Sequence, residues 1–488
     1  MVVRANLHLL IRVAFPRTIM SRRQWTHTPA RALHTPVPPP PQLVPEPPLH
    51  LLPSNTRVPG PELAIPGYVF STHVFPAAWP RSTPFIPLPD DPQEKRGSVV
   101  ESKEERKARL ARVMDTMLAI KAARERGQGD VLDDSGRVLW MTATRWVRTA
   151  PSSGAGDKTL LCTHANGLHG TTYAPVLRRL LAQRQDVAEI WALDSVQHGD
   201  AALLNAGKIG ILYEWNEMAR DALCFLQHFL PSKLDPTPLP TLLPRVSGGS
   251  RKVFALGHSF GGCSLVLAAC YKPELFSALM LADAVVLPVD ADRTTATSDG
   301  TVHTSNRSIP VLVAGALSRR SRWASRAAAY KALAANPFFG SWDKEVLDIY
   351  VKYALVEEES GEVRLKCEGI SEAAVFAEAR ASGEAWSAVS ALDERVSLLW
   401  INPPAEASMV KTQDIASARV RLRASNSAHV LIPDGTHLIV QTHPHQVADA
   451  AQAFLHLVNA GAVGDVHELK LQCPEDTTTS QQGSRARL

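Results

Sequence analysis

From residue 68 onward, the apolar positions of the chain alternate between strand-like and helix-like patterns. Short continuous apolar runs, such as residues 159–162, have the length and composition of buried strands. Segments such as 173–183 place apolar residues three or four positions apart, as one face of a helix does. This alternation predicts an α/β protein with a mostly parallel central sheet and helices on both faces. The predicted strands are 68–75, 138–147, 159–162, 187–193, 252–256, 278–281, 396–401 and 429–432, and the helices between and around them are 101–126, 173–183, 215–229 and 446–459.

Three segments depart from this alternation. Residues 36–66 are rich in proline and predict a stiff linker that does not pack. Residues 231–250 are rich in Pro, Gly and Ser and predict an exposed loop. Residues 289–394 contain three helical patterns, at 322–333, 342–355 and 372–379, and have the length of a cap over a catalytic site. The predicted organisation is a disordered leader and linker over 1–66, a core over 67–288 and 395–462, a helical cap over 289–394 and a flexible tail over 463–488.

Composition and charge narrow the function classes. The chain is 45% hydrophobic and 20% charged, which is ordinary for a globular protein. Six arginines and no acid precede Glu46, and subtracting these six from the net charge of +4 leaves −2, which argues against nucleic-acid binding. The six cysteines form no C-x-x-C pair, so we expect buried thiols in a reducing compartment rather than zinc ligands or disulfides. No apolar run approaches the about 20 residues of a membrane span.

Both ends of the chain resemble targeting signals. The Arg-rich, acid-free N-terminus is similar to a mitochondrial presequence, or else is a disordered or mis-started leader with Met20 as the true start. The last three residues, Ala486, Arg487 and Leu488, are a variant of the Ser-Lys-Leu peroxisomal address, which an import receptor would bind. The polar tail before them predicts that this address is accessible. The sequence favours the peroxisome, with the mitochondrion as the alternative.

The segment Gly257-His258-Ser259-Phe260-Gly261 carries the candidate chemistry. It matches G-x-S-x-G, follows a buried-strand pattern and precedes a small, apolar helix pattern, as a nucleophile elbow does. Such a turn exposes the serine hydroxyl above the sheet edge and places a helix N-terminus beneath it. A serine hydroxyl is a weak nucleophile at neutral pH, so a base must accompany it. The elbow therefore predicts that Ser259 is a catalytic nucleophile.

A histidine base and a carboxylate should complete the site. His437 lies between the last predicted strand and the last helix, where the order Ser, acid, His places the base. His443 and His445 flank Pro444 at a helix start and are read as capping residues, and His429 is read as structural. Asp283 directly follows the strand after the elbow strand, whereas Glu406 follows the next strand, where this fold more usually keeps its acid. Asp283 is the favoured acid and Glu406 the alternative.

Two polar loops follow earlier strands. The loop that begins at His164 should donate one oxyanion-hole N–H, and the N–H of Phe260 the other. Leu168 is the candidate donor in this loop, with Ala165 or Asn166 in another register, and His164 itself is read as structural. The second loop contains Asp194, His198 and Asp200, whose residue types would suit a metal. A hydrogen-bond network that shapes the loop is favoured over a metal site, because no further ligand stands at a recognisable spacing.

Four segments resemble the fungal peroxisomal α/β-hydrolases, a group that includes a lipase and an acyl-CoA hydrolase. The segments are residues 164–167, 198–200, 257–262 and 337–343, and the resemblance covers roughly residues 68–460. It implies an α/β-hydrolase fold and an acid after the strand next to the elbow strand, hence Asp283. It also adds support to the Ala-Arg-Leu ending. The Arg-rich leader and residues 231–250 depart from the family pattern, which affects the compartment more than the chemistry.

These residues together predict a serine hydrolase that cleaves a carboxylic ester or thioester through an acyl-enzyme. A peroxisomal acyl-CoA thioesterase is favoured, and a lipase or general carboxylesterase is the alternative. A non-catalytic binding protein on the same fold is a third reading, which the intact Ser/Asp/His set opposes. Neither cofactor nor metal is required for this chemistry. The cap would supply an apolar acyl pocket from Phe338, Phe339, Trp342, Tyr350 and Tyr353, or these residues are simply its core. A basic patch facing a CoA phosphate would favour thioester hydrolysis, and Arg319, Arg320 and Arg322 are its candidates, with solvated charges as the default interpretation.

Overall fold

The computed structural model describes residues 28–87, 102–125, 132–133, 135–150, 157–246, 251–289, 293–296, 302–304, 308–378 and 380–471. The terminal addresses, residues 1–27 and 486–488, lie outside these ranges. The strands are β1 Tyr68–Pro76, β2 Trp140–Arg148, β3 Lys158–Thr163, β4 Val187–Asp194, β5 Val253–His258, β6 Phe276–Ala282, β7 Arg293–Ala296, β8 Val302–Thr304, β9 Arg322–Trp323, β10 Leu355–Glu357, β11 Val363–Leu365, β12 Ser397–Asn402, β13 Ser427–Leu431 and β14 His467–Glu468.

The helices are α1 Ser54–Arg57, α2 Lys103–Glu125, α3 Ala174–Gln183, α4 Gly199–Leu204, α5 Trp215–His228, α6 Phe260–Tyr271, α7 Ser308–Ser318, α8 Arg326–Ala334, α9 Pro337–Gly340, α10 Lys344–Tyr353, α11 Gly369–Phe376, α12 Arg380–Ala388, α13 Gln413–Val420, α14 Ile439–Thr442 and α15 Pro444–Ala460. Each of the eight predicted strands and four predicted helices is present within a few residues of its expected bounds. The α/β class and the mostly parallel sheet are confirmed.

Nine strands form the central sheet, in the order β1-β2-β4-β3-β5-β6-β12-β13-β14. Strand β2 is antiparallel to both β1 and β4, and the remaining neighbours are parallel. The parallel strands are apolar on both faces because helices cover both sides. In β6, Leu279 and Leu281 pack in the cluster that includes α5 and α6, whereas Met280 packs in the cluster that includes α3 and α15. The carboxyl ends of β3, β5, β6 and β12 therefore meet at one edge of the sheet.

The N-terminal segment packs on this core, and the prediction of a non-packing linker over 36–66 is wrong. Leu52 and Leu63 are buried, as is Leu33 just before the segment. Short 3-10 turns such as Pro61–Leu63 alternate with extended residues. Proline permits this backbone, which requires few hydrogen-bond partners from the rest of the protein. The leucines between the prolines are thus free to insert into the core. Arg31 adds ion pairs to Glu214 at 2.8 Å and to Glu384 at 2.7 Å.

The C-terminal tail was expected to be flexible from residue 463, and that boundary is wrong. Val463 is buried, and β14 extends the sheet by pairing with β13. Two residues of parallel pairing suffice to fix this segment at the edge, a contact too short to leave a pattern in the sequence. Residues 472–488 lie outside the described ranges.

The segment predicted as a cap, 289–394, contains two kinds of packing among its described residues. Helices α8 and α10 form a separate apolar cluster with the small antiparallel sheet β10-β11-β9, which the sequence did not predict. Helices α7, α11 and α12 instead share the cluster of α5 and α6 on the central sheet. The boundaries of a cap stay a prediction. None of the helices in the described ranges is both long and apolar enough to cross a membrane.

Candidate active site

The elbow sits between β5, which ends at His258, and α6, which begins at Phe260. Ser259 has φ 57° and ψ −123°, a strained conformation for a residue with a side chain. A Cβ on Gly257 would lie 2.6 Å from the Gly262 Cα, and a Cβ on Gly261 would lie 2.5 Å from the carbonyl oxygen of His164. Close backbone approach therefore explains the glycines of the motif. The turn lifts the Ser259 side chain, 7% exposed as a residue, to the sheet edge.

The structure brings Ser259, His437 and Asp283 together. The Oγ of Ser259 is 2.9 Å from Nε2 of His437, and Nδ1 of His437 is 2.7 Å from Oδ2 of Asp283. His437 follows β13, and its backbone N–H donates to the Ala407 carbonyl at 2.9 Å. Its ring therefore bridges a hydroxyl and a buried carboxylate. In this arrangement the carboxylate accepts Nδ1–H and leaves Nε2 as an acceptor for the hydroxyl proton.

Asp283 is fully buried and has three donors besides His437. The Oγ of Ser408 donates to Oδ1 at 2.6 Å, Nη2 of Arg419 donates to the same oxygen at 3.2 Å, and the N–H of Met409 reaches Oδ2 at 3.4 Å. Burial by itself raises the pKa of this carboxyl, but the hydrogen bond from His437 and the charges of His437 and Arg419 outweigh burial and hold it well below its usual value. Asp283 is ionised in this environment at neutral pH.

His258, the variable residue of the elbow motif, also contacts the site. Its Nε2 lies 2.8 Å from the carbonyl oxygen of His437. Burial, with a smaller contribution from the neighbouring His437, lowers the pKa of His258 to about 3. It is therefore neutral and donates Nε2–H to that carbonyl, which ties the histidine loop to the elbow.

His258, Ser408 and Arg419 were not singled out from the sequence. Arg419 and Ser408 lie in the β12–β13 connection, and only the folding of that connection over Asp283 gives them a role. The loop in which the fold usually keeps its acid thus supplies hydrogen-bond donors to an acid on the neighbouring strand.

Leu168 is not available as an oxyanion donor, because its N–H donates to the Ala165 carbonyl at 3.1 Å. The N–H of Gly167 is likewise used, at 2.9 Å from Nε2 of His198. The backbone N–H groups of Ala165 and Asn166, the candidates of the other register, have no acceptor among the described residues. Phe260 lies in the first turn of α6, where helical N–H groups have no partner in their own helix. The prediction of Leu168 is therefore wrong because its loop closes a tight turn.

The alternative acid and the rival histidines lie apart from Ser259. Glu406 is exposed on a 3-10 turn after β12 and has no recorded contact with His437. His443 precedes α15 and contacts Thr442, and His445 lies in the first turn of that helix. His429 lies within β13. Among the described residues, His437 is the histidine whose ring contacts Ser259.

The loop after β4 is a hydrogen-bond network. Nδ1 of His198 contacts the Ser195 hydroxyl at 2.7 Å, and the Asp194 carboxylate accepts the N–H of Gly170 at 2.7 Å. Asp200 pairs with Lys366 at 2.6 Å. Within the described ranges no group of three or more His, Cys, Asp or Glu residues could hold a metal. The loop-shaping interpretation of these residues agrees with their contacts.

The predicted basic patch is paired internally. Arg319 contacts Glu372 and the Tyr350 hydroxyl, the latter at 3.0 Å. Arg322 pairs with Glu358 at 2.6 Å, and Arg320 lies over the Trp323 ring. Among the described residues, none of these guanidinium groups contacts His437 or the elbow.

The predicted pocket aromatics pack mainly with one another. Trp342 and Tyr350 are buried in the separate cluster of α8 and α10, and Phe339 contacts both rings. Phe338 is 56% exposed, and the Tyr353 hydroxyl contacts Glu62. No described contact joins these five side chains to Ser259. Tyr350 and Trp342 share their cluster with Ala165 and Leu168 of the loop after β3, and the Tyr350 hydroxyl donates to the Gly167 carbonyl at 3.4 Å. The core and the acyl pocket both stay predictions for these residues.

Comparison with known proteins shows the family of this chain. The model of the alpha/beta hydrolase family matches residues 160–450, which is more than half of the chain. The chain belongs to the α/β-hydrolase family. This membership makes it a hydrolase, and the matched range contains the elbow, the acid and the histidine loop.

The relatives of this hydrolase include fungal proteins. It is 29% identical over 130 residues to the type I acyl-CoA thioesterase mpaH′ of Penicillium brevicompactum, a match covering 26% of each chain. It is 28% identical over 132 residues to the peroxisomal membrane protein LPX1 of Saccharomyces cerevisiae, covering 26% of this chain and 31% of LPX1. The matches thus span only about a quarter to a third of these relatives.

A solved structure shares the fold over a longer range. The peroxisomal alpha-beta-hydrolase Lpx1 of Saccharomyces cerevisiae superposes with a TM-score of 0.55 at 18% identity. The superposition covers 85% of this chain and 94% of Lpx1. The resemblance to fungal peroxisomal α/β-hydrolases is confirmed by this structure and by the sequence relatives.

Proposed function

We propose that this hydrolase is a serine esterase or thioesterase with Ser259 as nucleophile, His437 as base and Asp283 as the orienting acid. The observation that carries the proposal is the continuous relay of 2.9 Å and 2.7 Å from hydroxyl to imidazole to buried carboxylate. Such a relay overcomes the weak nucleophilicity of a serine hydroxyl. The ionised state of Asp283 supports its role, because only a carboxylate stabilises the imidazolium that forms.

In this mechanism the Oγ of Ser259 attacks the acyl carbonyl while Nε2 of His437 takes the hydroxyl proton. The tetrahedral oxyanion is held by the N–H of Phe260 and by that of Ala165 or Asn166. Collapse of the intermediate breaks the bond to the leaving alcohol or thiol, which receives the proton from His437. Water then attacks the acyl carbonyl while His437 takes its proton, the bond to Oγ breaks, and His437 returns the proton to Ser259 as the carboxylic acid leaves. No step requires a metal or cofactor.

Thioester hydrolysis is the favoured form of this activity, and the lipase or carboxylesterase reading is the alternative. The similarity to a type I acyl-CoA thioesterase supports the former. The ion pairs of Arg319 and Arg322 weaken the argument for thioester hydrolysis from a basic patch that binds a CoA phosphate, because these cations already have carboxylate partners. Both activities use the same acyl-enzyme, so substrate comparison decides between them.

The test is turnover of p-nitrophenyl butyrate, triglycerides and a series of acyl-CoAs by the full chain and by Ser259→Ala. A fluorophosphonate probe should label the wild type and not this variant. The matched control is Ser264→Ala, because Ser264 lies in α6, which directly follows Ser259, and donates to the carbonyls of Trp215 and Phe260 rather than contacting His437. Full activity in Ser259→Ala would refute Ser259 as the nucleophile, and a wild type that is neither labelled nor active would favour the non-catalytic binding protein. Faster turnover of simple esters than of acyl-CoAs would favour the carboxylesterase.

We also propose a peroxisomal location, with Ala486, Arg487 and Leu488 bound by an import receptor. The relative named as a peroxisomal protein supports this location, and the Arg-rich N-terminus keeps the mitochondrion as the alternative. A fluorescent protein fused ahead of the tail should give punctate staining that becomes diffuse when Leu488 is deleted. Unchanged puncta after this deletion, or staining of mitochondria, would refute the C-terminal address.

A further inference from the structure

Arg419 lies behind the proposed acid, fully buried at the end of α13. Its guanidinium joins the carboxyl ends of two strands. Nη1 donates to the Ala284 carbonyl at 2.9 Å, just after β6, and Nη2 donates to Oδ1 of Asn402 at 2.6 Å, at the end of β12. The same Nη2 reaches Oδ1 of Asp283 at 3.2 Å, and the cation lies over the Trp400 ring at 5.4 Å. This cluster fixes both strand ends around one carboxylate.

The carboxylate of Asp283 faces two cationic groups, Arg419 and the protonated form of His437. Asp283 is the carboxylate recorded as interacting with Arg419 in the described part of the chain, so the buried cation depends on it. Asp283 must also stabilise His437 when the imidazole takes the proton from Ser259. One carboxylate therefore faces a permanent cation on Oδ1 and a transient one on Oδ2. The charge of Arg419 disfavours protonation of His437, while its hydrogen bond to Oδ1 orients Oδ2 of Asp283 toward the His437 ring.

We infer that Arg419 is a positioning residue for the proposed triad: it holds Oδ2 of Asp283 toward His437 and limits how strongly that carboxylate favours protonated His437. The inference rests on the proposed function. The groups facing Asp283 are His437, Arg419, the Ser408 hydroxyl and the Met409 N–H. The groups facing the His437 ring are Asp283, Ser259 and His258. His258 is neutral, so Arg419 is the permanent cation in this arrangement.

Loss of the Arg419 charge should change the pH profile, whereas loss of its hydrogen bonds alone should change kcat. In Arg419→Met, the unopposed carboxylate favours protonated His437, which cannot act as base. The acidic limb of the kcat/KM profile should then move to higher pH, by on the order of one pH unit. In Arg419→Lys, the charge remains but the fork of hydrogen bonds is lost. Its limb should stay at the wild-type pH while kcat falls by about 10- to 100-fold, as expected when a reacting group is displaced.

The experiment measures kcat and KM for p-nitrophenyl butyrate between about pH 5 and 9, because this range includes the pH values at which histidine titrates. Arg423→Met is the matched control, because Arg423 is a nearby buried arginine that contacts the carbonyls of Asp393 and Asn426 and has no recorded contact with Asp283. Its rate and limb should match the wild type. Thermal unfolding of each variant shows that the protein assayed is folded. If Arg419→Met does not fold, the kcat of Arg419→Lys carries the test.

The outcomes separate this inference from the function on which it rests. No fluorophosphonate labelling of wild-type Ser259 would defeat the proposed function. Labelled and active wild type, together with an Arg419→Lys variant of unchanged kcat, would overturn the inference alone. So would an Arg419→Met variant whose acidic limb stays in place. A moved limb in Arg419→Met with a fixed limb and lowered kcat in Arg419→Lys supports it, because a merely structural role would not move the pH profile.

Discussion

Replacing Asp283 with asparagine tests the most specific feature of the site, the position of its acid. The side chain keeps its shape but loses its charge. Ser408 and Arg419 both donate to Oδ1, so the amide oxygen of Asn should face them and the amide NH2 should face His437. An NH2 group cannot accept Nδ1–H, and it favours the tautomer that carries its proton on Nε2. That tautomer presents a donor to Ser259, and the base is lost.

The magnitude follows from this reversal. A triad whose imidazole is held in the wrong tautomer loses about 10⁴ in kcat. That factor corresponds to about 5 kcal/mol of transition-state stabilisation at ~1.4 kcal/mol per tenfold. The variant should also be less stable, because Arg419 keeps a buried charge without its carboxylate. Removing one partner of a buried ion pair costs about 3–5 kcal/mol of folding free energy.

The assay is p-nitrophenyl ester turnover by wild type, Asp283→Asn and Glu406→Gln, at a temperature where urea unfolding shows each protein to be folded. Activity is expressed per fluorophosphonate-reactive site in the wild type and per folded molecule in the variants. Glu406→Gln should behave as wild type, because its side chain is exposed and has no recorded contact with His437. A severe loss in Glu406→Gln with a folded, active Asp283→Asn would refute the assignment of the acid.

Three further outcomes are expected. Gly261→Ala should lower soluble yield and destabilise the fold by about 1–3 kcal/mol in urea unfolding, since the new Cβ meets the His164 carbonyl 2.5 Å away. Burial raises the pKa of Asp194 to about 7, so the contribution of this group to folding stability should fall by about 2–4 kcal/mol as pH rises from 4 to 7; the difference in unfolding free energy between wild type and Asp194→Asn should change by this amount over that range, and a constant difference would contradict the assignment. Arg31→Met should lower the melting temperature, because it leaves two buried carboxylates with one partner fewer, and an unchanged melting curve would show that residues before 36 add no stability.

Sequence patterns were sufficient to predict most strands and helices of the sheet and to propose Ser259 and His437 as site residues. The elbow could be recognised because steric contact at Gly257 and Gly261 dictates small residues on both sides of the serine. His437 could be placed because chain order fixes which loop lies beside the elbow. In both cases the fold repeats the same spacing or chain order wherever it occurs, so the sequence pattern alone indicates the position.

Predictions failed where the deciding contact leaves no pattern in the sequence. The Pro-rich segment looked non-packing, yet Leu52 and Leu63 are buried, since composition does not say which surface an irregular segment covers. Leu168 looked like an oxyanion donor, yet its N–H closes a turn onto Ala165. A backbone N–H carries no sequence signature, and a one-residue difference in the turn decides which group is free.

The sequence by itself determined the α/β class and indicated Ser259 and His437 as the proposed nucleophile and base, because strand period, the glycines of the elbow motif and the order of segments along the chain can all be read without the fold. Only the tertiary structure decided what surrounds the acid. Ser408, Met409 and Arg419 converge on Asp283 from the β12–β13 connection, more than a hundred residues away. The state of a buried carboxylate depends on the charges and donors that folding brings within a few ångströms, and no local pattern specifies them.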